Sequence, residues 1–377
     1  MKLNRHNAVW KGYMTGKRLL AAFLGASLLL SGCGPAGGSQ GAFDASSEEN
    51  GKLKVAVTLF PYYDFVRQIA GDQVDLQMVI PAGMDSHSFE PTPADIRTIQ
   101  HADVLISNGG TMEHWLEDTL SALDTSNMTI VTMMDYVDTV EEEIVEGMED
   151  AGHDHDHAHS HAAADDHDHS HETPEEHAAH AQEADDHDHS DYVDHDGHEE
   201  AIEYDEHIWT SPVNAMKLVD VIGETLAEAD PAHAEVFRQG AADYKKELEE
   251  IDAGFREVSR NRKRNMIVMG DKFPFRYLAD EYQLDYRAAF SGCSSDTEPS
   301  AKTIAYLIDK VKEEQIPVVY YLELSSHRVS EIIGEETGAE PLLLHSCHNV
   351  TRAQFDAGIT YAGLMRQNIE NLRKGID

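Results

Sequence analysis

Forty-seven consecutive residues near the middle of this chain, Gly152 to His198, cannot join a packed core. They hold 14 of its 23 histidines, in runs such as HDHDHAHSH and DDHDHSH, and almost no large apolar side chain. Such a segment has too little surface to bury to offset its conformational entropy, so it is expected to be disordered without metal. Any fold must therefore be built from the sequence on either side, with this stretch leaving it as a loop. The same region carries the charge. From Glu141 to Glu206 there are 26 Asp and Glu and no Lys or Arg, within a net charge of −41. Nothing forms a basic patch, which excludes a nucleic-acid partner, and cations are the natural partners of such a field.

The N-terminus reads as a targeting segment. Lys2, Arg5, Lys11, Lys17 and Arg18 precede an apolar run from Leu19 to Leu30, and then Ser31-Gly32-Cys33. The run is shorter than the roughly 20 residues that a membrane span needs and fits the apolar region of a secretory signal. Small residues directly before Cys33 resemble a bacterial lipoprotein cleavage box, so residues 1–32 are expected to be a signal peptide and Cys33 the lipid-modified anchor. Residues 33–51 then read as a flexible tether. The expected location is extracytoplasmic, attached by lipid to the bacterial cell membrane.

Beyond the tether, short Val- and Ile-rich runs alternate with helix-compatible segments. The first set is 53–59, 74–80, 102–108 and 128–133, with helices such as 62–70 and 93–100 between. The second is 265–270, 284–290, 317–323 and 341–345. This alternation predicts an α/β fold with mostly parallel sheets covered by helices. Asp230-Pro231 is a helix start, and a long amphipathic helix is expected from there to about Arg262. The expected organisation is an N-terminal lobe (52–229, with 152–198 as its insert), a linking helix (230–263) and a C-terminal lobe (264–377).

In open α/β sheets ligands bind beyond the carboxyl ends of strands, and neutral imidazole is the usual nitrogen ligand of zinc. His87 lies in a Pro/Gly/Asp-rich loop after one strand run, and His345 closes another. Asp271 directly follows the 265–270 run, and His207 stands where the chain re-enters from the insert. His348 competes with His345. By contrast, His101, His233 and His327 read as surface or capping residues, and His114 as a packing residue. Within the insert, His153, His155, His157, His159, His161, His167, His169, His171, His187 and His189 are expected to bind metal weakly and exchange it fast, less so below about pH 6.5, where free imidazoles protonate. Cys293 and Cys347 are expected to form a disulfide, with thiolate ligation of metal the alternative.

Two segments carry a family resemblance. His87-Ser-Phe-Glu90-Pro91-Thr92-Pro93-Ala-Asp95-Ile96 is similar to the first metal-ligand motif of the zinc/manganese solute-binding proteins of ABC transporters. Asp205-Glu-His207-Ile-Trp209-Thr-Ser211-Pro212 resembles the second, and the acidic His-rich insert resembles the loop of the zinc-specific branch. The run from Asp356 through Tyr361 to Leu372 also matches. The resemblance implies two α/β lobes joined by a rigid helix and one buried metal between them. It further implies a monomeric receptor, not an enzyme, that hands its metal to an ABC-transporter permease. At the third ligand position, where many members have His, this chain has Gly270, and His345 replaces the usual carboxylate near the last strand. The expected set is His87, His207 and His345, with Asp271, His348 or water as the fourth ligand. A set so rich in imidazole favours Zn(II) over manganese. The competing readings are a surface adhesin or zinc buffer without a transporter, a manganese receptor, and a metallohydrolase. For the last there is neither an HExxH helix nor a nucleophile elbow.

Overall fold

The computed structural model describes Phe43 and residues 51–148, 203–294 and 298–377. The signal segment, Cys33, most of the tether and every insert histidine named above lie outside the described residues. Phe43, inside the expected tether, packs against the core.

Two four-stranded parallel sheets organise the chain. The first is built from β1 (Leu53–Val57), α1 (Phe60–Ala70), β2 (Val74–Met78), α2 (Pro93–Gln100), β3 (Val104–Ser107), α3 (His114–Ser121) and β4 (Thr129–Thr132). Two helices follow, α4 (Pro212–Ala229) and α5 (Ala234–Asn261). The second sheet comes from β5 (Met266–Phe273), α6 (Arg276–Tyr282), β6 (Asp285–Ser291), α7 (Ala301–Glu313), β7 (Val318–Tyr321), α8 (Arg328–Thr337) and β8 (Glu340–Leu343). The chain closes with α9 (Arg352–Asp356) and α10 (Tyr361–Ile376). Strand orders are β2-β1-β3-β4 and β6-β5-β7-β8. In each sheet the order reverses beside its first strand, which opens a crevice at the carboxyl ends.

The central strands are apolar on both faces because both faces are covered. Val55, Ala56 and Val57 are fully buried, as are all four residues of β3. That is the signature of a parallel sheet sandwiched by helices. One apolar cluster runs from the first sheet through α5 to β5 and α10, and a smaller one lies between β6, β7, α7 and α8.

The linking helix is shorter than the sequence suggests. Asp230 ends α4, and its carboxylate accepts the Ala232 N–H (3.1 Å) and contacts His233 Nδ1 (2.6 Å), so α5 begins only at Ala234. His233 is thus the residue before the helix and not part of its first turn. At 28 residues α5 spans about 42 Å. Its buried side chains Phe237, Ala241, Tyr244, Leu248, Ile251, Phe255 and Val258 recur three and four apart, forming one apolar stripe.

Close packing of α5 on α1 depends on Gly240. A Cβ there would lie 2.1 Å from the Ile69 carbonyl oxygen, a backbone atom that cannot rotate away. Gly240→Ala is expected to cost about 1–3 kcal/mol as the helices are pushed apart. A urea unfolding curve with an unchanged midpoint would show that this contact does not limit the packing.

The insert leaves and re-enters through a short neck. Glu141 and Tyr204 form an antiparallel bridge, Glu142 N–H donates to Glu203 O (2.9 Å), and Asp205 N–H donates to Val140 O (3.0 Å). The returning strand leads directly into His207.

Candidate metal centre

A cleft of about 440 Å³ lies at the carboxyl ends of both sheets. The first sheet's side supplies His87 and His207, and the second supplies Asp271, Lys272, Glu323 and His348.

His207 is fixed by its neighbour two residues earlier. Asp205 Oδ1 accepts the His207 backbone N–H (2.8 Å) and faces Nδ1 (3.2 Å), with both side chains 2% exposed. A carboxylate at Nδ1 places the ring proton there and leaves Nε2 as the free lone pair, the arrangement common behind metal-bound histidines. His87 is held by its backbone N–H donating to Asp85 Oδ1 (2.8 Å), and its Nε2 is buried without a hydrogen-bond partner. A buried polar atom left unpaired is open to a water or an ion. Trp209 is fully buried below these rings, with centroids 5.5 Å from His207 and 5.6 Å from His348.

His87, His207 and His348 form a triangle, with ring centroids 6.1, 5.8 and 5.8 Å apart. Three imidazoles bound to one zinc at 2.0–2.1 Å per nitrogen would bring their centroids to roughly 5 Å. The triangle is therefore slightly open. Among the described residues no three His, Cys, Asp or Glu side chains already stand in ligating geometry. His348 Nε2 is hydrogen-bonded to Ser86 Oγ, a contact that metal binding through this nitrogen would have to displace. Burial, then the nearby His207, pushes the pKa of His87 down to about 4, and burial, then His207 and His87, pushes that of His348 down to about 3. Both rings are neutral at pH 7 and ready to ligate.

His345 occupies a different place. It is 1% exposed and does not line the cleft. Its Nδ1 accepts the Cys347 N–H (3.0 Å) and stands 3.4 Å from Glu323 Oε1, while Asn368 accepts its N–H (2.8 Å) and donates to its carbonyl (2.7 Å). Its Nε2 is also buried without a partner, and the residue does not line the cleft. The separation of the two histidines follows from Cys347, whose φ of 61° reverses the chain between them. Asp271 lies within β5, not after it, because a bulge between Met269 and Lys272 carries the strand on to Phe273. Its carboxylate faces the cleft but already accepts the Lys272 N–H (2.9 Å) and the Leu322 N–H (3.3 Å). A histidine at position 270 has no room, since a Cβ there would meet Ser330 Oγ at 2.5 Å.

The expected disulfide is not formed, and both cysteines are free. Different partners hold them. Cys293 donates its N–H to Glu142 (2.9 Å) beside the neck, while Cys347 is fully buried with Sγ 3.8 Å from the His345 carbonyl. Burial first, then neighbouring carboxylates, pushes both thiols well above their ordinary range. Neither therefore favours the thiolate that metal ligation requires.

Glu323, Lys272, Ser86 and Asp205 were not among the candidates read from the sequence. Glu323 closes the β7 run, so the strand-end rule that selected His345 also reaches it. Its side chain is 7% exposed. Burial opposes its charge, but His345 and the Ser346 hydroxyl and N–H outweigh this and hold the carboxyl below its ordinary range. Asp205 carries a signal too, as a carboxylate two residues before a histidine in a turn.

The sequence profile of ZnuA, the periplasmic component A of the zinc-uptake complex, matches residues 55–375. The zinc-binding protein AdcA of Streptococcus pyogenes is 33% identical over 327 residues, covering 87% of this chain and 56% of that protein. The chain thus spans about half the length of that relative. The high-affinity zinc uptake system protein ZnuA of Bacillus subtilis is 28% identical over 349 residues, covering 93% of this chain and 94% of that protein. Among solved structures, the Zn(II)-bound ZnuA-like domain of Streptococcus pneumoniae AdcA superposes with a TM-score of 0.62 at 27% identity, covering 87% of this chain and all of that one.

Proposed function

The chain belongs to the ZnuA family of zinc-uptake components, and on that premise we propose that it is an extracytoplasmic receptor that captures Zn(II) between two lobes and delivers it to an ABC importer. The observation that carries this reading is the triangle of His87, His207 and His348 above a buried tryptophan. Nitrogen-rich coordination suits zinc better than manganese, which prefers more oxygen. An oxygen from Asp271 or Glu323, or water, completes the shell. The mechanism is capture: Zn²⁺ exchanges its water shell for imidazole nitrogens that the fold already gathers at the cleft. The Lys272 ammonium lines the same cleft, so an arriving dication must move past it.

The proposed organisation is a signal peptide (1–32), a lipidated Cys33 with its tether, lobes at 52–229 and 264–377, and a linking helix between them. The stretch 152–198 acts as a weak, fast-exchanging collector of metal, and the protein works as a monomer.

A zinc titration of the full chain against a competing chelator tests the reading through its pH dependence. Protons compete with zinc only at rings that titrate in the range studied. With pKa values near 4 and 3, His87 and His348 add no such cost between pH 7 and 5.5. The tight site is therefore expected to lose far less affinity over that interval than one built of ordinary imidazoles with pKa values of about 6.5. A loss of two or more orders of magnitude would mean that zinc is held by ordinary, exposed histidines, and the cleft assignment would fail.

A further inference from the structure

The two loops that bring His87 and His348 together come from different sheets, and two side-chain contacts tie them: Ser86 Oγ to His348 Nε2, which metal at that nitrogen would displace, and Asn349. Asn349, 4% exposed and adjacent to His348, donates from Nδ2 to the carbonyls of Pro81 (2.9 Å) and Met84 (2.7 Å). Those carbonyls bracket the turn after β2, itself closed by the Met84 N–H donating to Pro81 O (3.1 Å), three residues before His87. The remaining polar atom, Oδ1, accepts the Val350 N–H (2.8 Å), which holds the amide so that both of its N–H groups face the turn. Both polar atoms of the Asn349 side chain are thereby used, and both donors cross from the second sheet's loop to the first.

We infer that Asn349 is a positioning residue, setting the separation of His87 and His348 before metal arrives; this rests on the cleft reading above. The physical reason is preorganisation. The His87 turn is exposed at Gly83, Met84 and Asp85, so without a tether it can drift from the opposite loop, and zinc binding would then have to draw the two together. With the amide in place that work is done on folding. Metal bound at His348 Nε2 would displace the Ser86 contact, so the tie that persists in the loaded site is the Asn349 amide.

The test is a chelator-competition zinc titration of the full chain with Asn349→Ala, His348→Ala, the double variant and His87→Ala. Asn349→Ala is expected to weaken the tight site about 10- to 100-fold, the usual effect of removing a group that orients metal ligands. In the His348→Ala background the same change is expected to do almost nothing, because the ring on the Asn349 loop, which the amide holds against His87, is gone. A penalty as large with His348 absent as with it present would mean a merely structural role, and the inference would be wrong. So would an Asn349→Ala affinity within about twofold of wild type, the margin of ordinary additivity. His87→Ala separates this from the parent reading. If it leaves tight binding intact, the cleft itself is misassigned. If it abolishes tight binding while Asn349→Ala changes nothing, only the positioning role falls. Thermal melts of the metal-free variants check folding. Should Asn349→Ala be unfolded, Asn349→Ser keeps one donor and is expected to show an intermediate loss of affinity that again disappears beside His348→Ala.

Discussion

His207→Ala is expected to weaken the tight zinc site by about two orders of magnitude or more. Structural zinc sites with four ligands bind with about 10–16 kcal/mol, so one ligand contributes roughly 3 kcal/mol. His207 is also the ring whose tautomer is best fixed, since Asp205 faces its Nδ1 and leaves Nε2 free. The metal-free fold should survive the change, because Asp205 still accepts the backbone N–H of residue 207. The informative contrast is His345→Ala. That side chain is buried, does not line the cleft and accepts the Cys347 N–H, so its loss is expected to lower stability far more than affinity. Chelator competition gives the affinities and thermal melting the stabilities. If His345→Ala abolished tight zinc binding and His207→Ala left it within tenfold, the assignment of the two would be reversed.

The largest expected effect on stability lies elsewhere, at Asp64. This carboxylate is fully buried in α1, yet it accepts hydrogen bonds from Arg67 Nε (3.1 Å), Gln68 (3.0 Å), the Tyr361 N–H (2.7 Å) and the Tyr244 hydroxyl (3.5 Å). Those partners belong to α1, α5 and the start of α10, so one side chain joins the first lobe to the linking helix and the C-terminal helix. Arg67 in turn donates to the Ile359 carbonyl (2.6 Å). Asp64→Ala removes one partner of a buried ion pair and leaves the Tyr361 N–H unsatisfied, which typically costs about 3–5 kcal/mol. The lower end is expected, because Arg67 is 29% exposed and can turn to water. Equilibrium urea unfolding of the metal-free protein measures it; a loss below about 1 kcal/mol, the scale of an exposed ion pair, would show that the junction is not cooperative.

Much of the fold was legible because burial on both faces forces continuous apolar runs. All eight predicted strand segments correspond to strands, with ends shifted by a few residues. The strand-end rule also led to residues that line the cleft, among them His87, Asp271 and His348. What the sequence did not carry was local backbone direction. His345 and His348 are three residues apart with Cys347 at a left-handed φ of 61° between them, and it is His348 that lines the cleft. The bulge in β5 similarly moved Asp271 from a loop into a strand. Two cysteines in an oxidising compartment argued for a bridge, but pairing depends on which partners hold each thiol. Cys293 is held at the neck and Cys347 faces the core.

Anomalous diffraction at the zinc edge, from crystals of the full chain loaded with one equivalent of zinc, would locate the metal directly. A single strong peak bonded to His87, His207 and His348, with the three rings drawn in toward roughly 5 Å centroid separations, is expected. A peak at His345 and Glu323, or none in the cleft while metal sits elsewhere on the chain, would contradict the assignment.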